Sequence, residues 1–563
     1  MPVTPAYPFL LSFLNLALLA GIPGLWGVKK YGFPFAISLV GLISTVLVFT
    51  FANLTKYFFC LTLIMGCAGL ILSIRRADLR KCWNQGTIFL CAFACSFVLN
   101  YRLYPGFLYK VVGSYLQSYF YVMHQASIAS EIWRFQGWSR LVDPFAWPSK
   151  LHGYHVGGDA VDAFGEVPWL SHNMVSYAMA HWAFVVCGLA YALFQGAQLF
   201  SSPGDRKEPA GKNDLLSACA FITLSSFFIS LIGGLGNWYG LIAHAHGNSA
   251  SWWGAFFILT SLLCFWKEDV LWSYYFLWVA ACFKISVAPT ALLLTPLYLR
   301  RVGPFRALMA SLFPGLTFSF MILLSRIDRF RDPATALLRR PINMLTVDTW
   351  QVRGWSVPGY RQVYDSLFVH FSRIDPAHFH GALSWGLMEW NKISQGFLLI
   401  SFQIIFPMLV VLALGSLASR IHRDLDTHAQ KTGLIFMLAC GIPALVIQTK
   451  ANHHETVDPW MISLWLAAFI FSFSSAHLLA NLFHHLPNPR RSWAAGATMI
   501  AALIFMRPDR VIFGLQFVDL AKKRKVLQND VLLEDDPTYA AIFNMRIHRI
   551  VGDMDGILLS VKE

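Results

Sequence analysis

The chain has 563 residues, 56% of them hydrophobic and only 13% charged, with a formal net charge of +14. An ordinary soluble domain carries roughly 25% charged residues, so this composition excludes a soluble globular protein and reads as a polytopic membrane protein. In such a chain Lys and Arg gather on cytoplasmic loops, so the positive charge reports topology and no nucleic acid partner is expected.

The first apolar run, 8 to 27, precedes Lys29 and Lys30 and lacks a basic n-region and a small-residue cleavage site. It reads as a membrane helix and not as a removable signal peptide. Runs of spanning length follow at 33–53, 57–73, 86–104, 171–199, 215–234 and 250–266. The stretch 270–299 is too long for one helix and is interrupted at Lys284 and Pro289, so it predicts two short helices joined by a tight turn. Further spans are predicted at 307–325, 396–417, 432–448, 459–483 and 492–506. The expected fold is therefore an all-α polytopic membrane protein of about 12–14 transmembrane helices, with two large outer loops that contain amphipathic helices.

Orientation follows from the short connections. Lys29, Lys30, Arg75, Arg76, Arg80, Lys81, Arg206, Lys207, Lys212, Arg300, Arg301, Arg306, Arg420, Arg423, Lys431, Arg490 and Arg491 fall in one alternating set. The other set holds little beyond Lys56, Lys284 and Lys450. The first set is then cytoplasmic, and the long polar loops 105–170 and 326–395 lie on the opposite side. The expected organisation is N-terminal membrane helices over 1–85, a main bundle over 86–510, and a small polar segment over 511–563. That last segment fits one or two helices or a hairpin. The cysteines sit mostly in apolar runs without CxxC pairs, and read as small core residues.

Polar chemistry concentrates on the outer side. Apolar residues between Tyr115 and Phe135 recur at helical spacing with His124 and Glu131 interleaved, which predicts an amphipathic helix at the membrane surface. Behind it, GYHVGGDAVDAFGE carries His152, His155, Asp159, Asp162 and Glu166. If that piece is helical, its three carboxylates share one face. A solvated helix face is the plain reading; an acidic site for a general base or a divalent metal is the alternative. His244 and His246 stand two apart in GNWYGLIAHAHGNSA, and Lys450, His453, His454, Glu455 and Asp458 crowd the loop TKANHHETVDPW. The second long loop adds Arg353 and Arg361. HAH has the look of a zinc pair, yet neither it nor HHE matches a defined metal motif. Histidine, lysine and arginine on one rim suit the phosphate of a lipid headgroup.

The arrangement resembles the GT-C superfamily of polytopic glycosyltransferases. Four stretches carry the likeness: YFYVMHQASIASEIWRFQGW with the later HGYHVGG, ACFKISVAPTALLLTPLYLRR, ANHHETVDPWMISLWLAAF and the closing segment after Arg507. The resemblance implies transfer of a sugar from a polyprenyl-phosphate-linked donor to a glycan, lipid or protein acceptor on the periplasmic or lumenal side. A bacterial inner membrane and membrane partner subunits fit the same picture. GT-C enzymes usually place an acidic residue near the start of the first outer loop. Here none occurs between Tyr101 and Ser130, and Glu131, Asp143, Asp159 and Asp162 come later. Glu131, Asp159 and Asp162 are then the expected catalytic carboxylates. His124, His155, His244, His246, Lys450, His453 and His454 are the expected phosphate contacts, with Arg353 and Arg361 closing over the donor. Magnesium or manganese is the one candidate cofactor. Two other classes stay open: a lipid or sugar transporter, which buried mid-span charges would mark, with His181 and His477 the main candidates within spans and Lys284 at a predicted turn, and a scaffold subunit without chemistry.

Overall fold

The computed structural model describes residues 6–19, 21–22, 31–75, 79–103, 128–129, 132–133, 136, 139–141, 156–166, 174–200, 212–234, 249–331, 427–448, 454–484, 488–506, 546–553 and 556–562. Its helices in chain order are α1 (Ala6–Leu19), α2 (Gly32–Thr50), α3 (Asn53–Arg75), α4 (Leu79–Leu103), α5 (Gly157–Glu166), α6 (Met174–Phe200) and α7 (Lys212–Gly234). They continue as α8 (Ser249–Trp266), α9 (Val270–Phe283), α10 (Ala288–Val302), α11 (Pro304–Arg331), α12 (Thr427–Gln448), α13 (His454–His484) and α14 (Asn488–Met506). A two-stranded antiparallel hairpin, β1 (Arg546–Asp553) and β2 (Gly556–Lys562), ends the described chain. The C-terminal segment thus adds a hairpin to an otherwise helical fold. The predicted span 396–417 lies outside the described residues, as does the loop 326–395 beyond Arg331.

Among the described residues, five helical stretches are long and apolar enough to cross a membrane: Gly32–Thr50, Asn53–Leu72, Ala180–Phe200, Ser249–Trp266 and Pro304–Leu324. Shorter apolar helices surround them, among them Leu215–Leu231, Val270–Phe283 and Trp465–Leu479. The protein is membrane-embedded, and its two kinds of surface show it. On α11, Phe305, Leu308, Leu316 and Leu323 are all more than half exposed, as apolar side chains facing lipid would be. The interior instead holds Asp159, Asp162, Glu166, His181 and Lys284, all buried.

The core is aromatic. Phe257 packs on Phe283 at 4.9 Å between ring centres, Trp252 meets Trp465 edge-on at 5.6 Å, and Phe256 joins both Trp252 and Trp253. Such pairs add about 0.5–1.5 kcal/mol beyond the area they bury. Close helix contact is set by glycine. An added Cβ at Gly21 would lie 2.3 Å from the Gly66 carbonyl oxygen, and one at Gly66 would lie 2.3 Å from the Leu18 carbonyl oxygen. α1 therefore reaches α3 backbone to backbone; of the predicted run 8–27, positions 20 and 23–27 lie outside the described residues.

The break in 270–299 occurs where it is expected. A proline ring at 289 clashes with the carbonyl four residues back, at Ile285. The chain responds with extended backbone at Lys284, a single 3-10 turn at Ile285–Val287, and a fresh helix with Pro289 in its first turn. The halves contain 14 and 15 residues, each about 21–22 Å long at ~1.5 Å per residue. A hydrocarbon core measures about 30 Å. The hairpin therefore turns short of a full crossing, and Lys284 sits at its tip.

Candidate functional site: a buried acidic helix facing Lys284

α5 is a ten-residue helix with every residue buried. Its small residues explain how it fits. A Cβ on Gly157 would lie 3.2 Å from Thr45 Oγ1, one on Gly158 would lie 2.6 Å from Ser249 Oγ, and one on Gly165 would lie 2.4 Å from the Phe184 ring. Asp159 in the first turn complements the positive end of the helix. At the other end, a buried helix leaves its last carbonyls without intrahelical partners. Trp133 Nε1 donates to the Ala163 carbonyl at 2.7 Å, Asn15 Nδ2 to that of Phe164 at 3.2 Å, and Ser12 Oγ to that of Gly165 at 2.9 Å. Residues from α1 and from the loop before α5 thus cap a helix far away in sequence.

The stretch GGDAVDAFGE, whose helical form is the condition for its carboxylates to share a face, is a helix, and those carboxylates do not face solvent. Asp159, Asp162 and Glu166 lie inside the bundle. The plain reading of a solvated face is corrected: a helix whose small residues let it enter the bundle buries all its faces at once. Tyr177 donates its hydroxyl hydrogen to Asp162 Oδ2 at 3.1 Å, and His181 Nδ1 lies 2.9 Å from the same oxygen. The two rings lie parallel, 2° apart with centres at 6.2 Å, because positions 177 and 181 are one turn apart on α6.

Asp159 sits between opposing influences. Burial pushes its carboxyl well above the usual carboxylate range, and the charge of Asp162 adds to this, while Lys284 pulls it down. Lys284 is itself buried and comes from the α9/α10 break. Gly254 leaves the room it needs, since a Cβ there would lie 2.8 Å from that of Lys284. Two acids from one loop helix and one base from a helix break are therefore buried in the same bundle, the base acting electrostatically on Asp159, although the sequence separates them by more than a hundred residues.

The predicted surface helix over 115–135 is described at only four positions. Ile128, Ala129 and Ile132 are fully buried and Trp133 packs on Phe59 at 5.4 Å, so these residues enter the bundle and do not lie on its surface. Arg140 is held at the α2/α3 corner, where Leu141 N donates to Val48 O and Ala52 N to Ser139 O, and its guanidinium lies 4.9 Å from the Phe49 ring.

Of the expected site residues, Asp159 and Asp162 are the two brought together. His454 is the first residue of α13, described in its backbone alone. Glu131, His124, His155, His244, His246, Arg353, Arg361, Lys450 and His453 lie outside the described residues. Among the described residues no three His, Cys, Asp or Glu side chains converge as a ligand set for a metal, so Asp159 and Asp162 do not supply a magnesium or manganese site by themselves. Sequence reasoning missed Tyr177, Ser12, Asn15 and the pairing of His181 with Asp162. The signal was a sprinkling of polar residues along one stripe of otherwise apolar helices.

Comparison of the chain with protein-family models, with curated proteins and with solved structures finds no match.

Proposed function

We propose that the protein is an integral membrane glycosyltransferase of the GT-C kind, which moves a sugar from a polyprenyl-phosphate-linked donor to an acceptor hydroxyl. The observation that carries this reading is that buried Asp159 feels the charge of buried Lys284, which offsets part of the effect of burial on its carboxyl. Asp159 directly follows HGYHVGG in the loop after the early helices and Lys284 lies in ACFKISVAPTALLLTPLYLRR of the short helix pair, two of the four stretches on which the resemblance rests. A transferase of this type needs a base for the acceptor and a cation for the departing phosphate, and these two side chains are of those kinds.

In this mechanism Asp159 takes the proton of the acceptor hydroxyl as its oxygen attacks the anomeric carbon of the donor. A carboxyl whose proton affinity is raised is a stronger general base than an ordinary one. Asp162, held by Tyr177 and His181, keeps a carboxylate beside Asp159. The bond from the anomeric carbon to the phosphate oxygen breaks, and Lys284 stabilises the charge that develops there. Magnesium or manganese remains a proposed cofactor, for which the described residues offer no ligand set, and no step is routed through it. The setting proposed is the bacterial inner membrane, with the reactive end periplasmic, a glycan, lipid or protein as acceptor, and membrane partner subunits alongside.

A second reading, a proton-coupled lipid or sugar transporter, is favoured by one observation. The His181 and Asp162 pair lies wholly inside the bundle, where ionisable residues often mark a transport path. Sealed proteoliposomes containing a radiolabelled polyprenyl-phosphate sugar separate the two. The transferase covalently labels an added membrane extract and loses this with Asp159→Asn. Movement of the label across the bilayer without covalent transfer supports the transporter and rejects the transferase.

A further inference from the structure

α4 and α7 meet in a fixed register. Cys91 Sγ lies 4.0 Å from the Cys219 carbonyl oxygen, and one turn further along both helices Cys95 Sγ lies 3.9 Å from Thr223 Oγ1. Both pairs are 128 residues apart, so the two helices run parallel here and the second contact repeats the first. The thiols of Cys91 and Cys219 hydrogen-bond to each other across this seam. Three cysteines thus stand within one turn of a single helix contact.

Their roles differ. Cys95 is buried and engaged by Thr223 and Ser226, while Cys91 and Cys219 are each partly exposed. Cys91 and Cys95 are four apart on one helix, and a bond between them would join nothing that the helix does not already join. A bond from Cys91 to Cys219 would tie two helices together. Thiols that point at each other from neighbouring helices meet the first requirement of a disulfide, which is that their Cβ atoms face one another.

The geometry points to Cys91 and Cys219 as a redox modification site, a thiol pair that hydrogen peroxide converts into a reversible disulfide joining α4 to α7. One thiol sulfur attacks a peroxide oxygen, giving a sulfenic acid and one water. The second sulfur then displaces the sulfenic hydroxyl, which leaves with the second thiol's proton as another water. The pair loses two electrons and two protons, and the peroxide is reduced to two waters. A small dithiol returns the electrons by exchange and restores both thiols. Charge is costly in these apolar surroundings, where Phe89 and Phe93 pack on the core beside Cys91, so the link is expected to form over minutes to hours. It fastens α4, which precedes α5 in the chain, to α7, which packs against α13 and α14. This site is independent of the transferase reading.

The test uses the full chain in lipid nanodiscs holding one copy each, which excludes links between molecules. Samples are treated with hydrogen peroxide or with the membrane-permeant oxidant diamide, unfolded in dodecyl sulfate and blocked with N-ethylmaleimide, and their peptides are read by mass spectrometry without reduction. Most of the wild type is expected to yield a linked Cys91–Cys219 peptide, which dithiothreitol removes. Cys95→Ser is expected to keep that link and Cys219→Ser to lose it. Cys91 and Cys219 both recovered blocked after either oxidant would overturn the proposal. So would a Cys91–Cys95 peptide in place of the interhelix one, or oxidation that stops at a sulfinic or sulfonic acid on Cys91 with Cys219 still blocked. These outcomes are read on the wild type and need no variant to fold.

Discussion

Asp162 depends on two neighbours from one turn of α6, and the consequence of losing each can be stated. Tyr177→Phe removes a single donor to a buried carboxylate at 3.1 Å and should cost about 1 kcal/mol of stability. His181→Ala removes the closer partner and leaves a space beside the charge, and should cost about 2–3 kcal/mol. Thermal unfolding of the purified variants checks the order, which reversed values would contradict. Asp159 behaves in the opposite sense. Its folded-state proton affinity is raised, so the folded protein holds that proton more tightly than the unfolded chain. The stability this gives is present below the ordinary carboxylate range and is lost as pH rises through the elevated folded-state value. Asp159→Asn is neutral throughout. As pH rises from the ordinary carboxylate range, its unfolding midpoint should stay level where the wild type's declines, and should exceed the wild type's once the folded-state carboxyl has ionised. A parallel decline in both proteins would show that Asp159 is not the group responsible. A site that costs stability for function is the expected bargain.

At the scale of elements, glycines decide which helices touch. Gly66→Ala would place a methyl group 2.3 Å from the Leu18 carbonyl oxygen, whereas Gly86 has nothing within 4 Å of its added Cβ. The first change should destabilise by about 1–3 kcal/mol through overpacking. The second, in the middle of a helix, should stabilise by up to about 1 kcal/mol. Melting points of the pair measure this directly, and equal shifts would deny the close approach of α1 to α3. The same elements show how far sequence carries. The Lys284 break was legible because proline chemistry is local, and so was the spacing that puts the GGDAVDAFGE carboxylates on one face of a helix, because periodicity is local too. The burial of that helix was not. Whether a small, acidic helix lies in water or inside a bundle depends on Ser12, Asn15 and Trp133 reaching its carbonyls, and no spacing rule connects residues that far apart. The partnership of Asp162 with His181 was hidden for the same reason.

At the scale of the molecule, apolar side chains stand exposed on the exterior while a few ionisable ones are set inside a largely aromatic core. The exposed side chains of α11 lie on the outside, while the acids of α5 and the Lys284 tip of the helix hairpin lie within. Each half of the hairpin is shorter than a hydrocarbon core is thick, and in the proposed reading the group reacting at its tip arrives from within the bilayer. A lipid-borne sugar does so. It also gives the reading its exposure to failure, since everything depends on the buried acid doing chemistry and not merely filling space. The most direct measurement is the surface-glycan profile of deletion cells complemented with Asp159→Asn at wild-type protein level. The account predicts a folded protein, at least as stable as the wild type, that restores no glycan. Full restoration would contradict it, and would leave Asp159 a structural residue with no part in transfer.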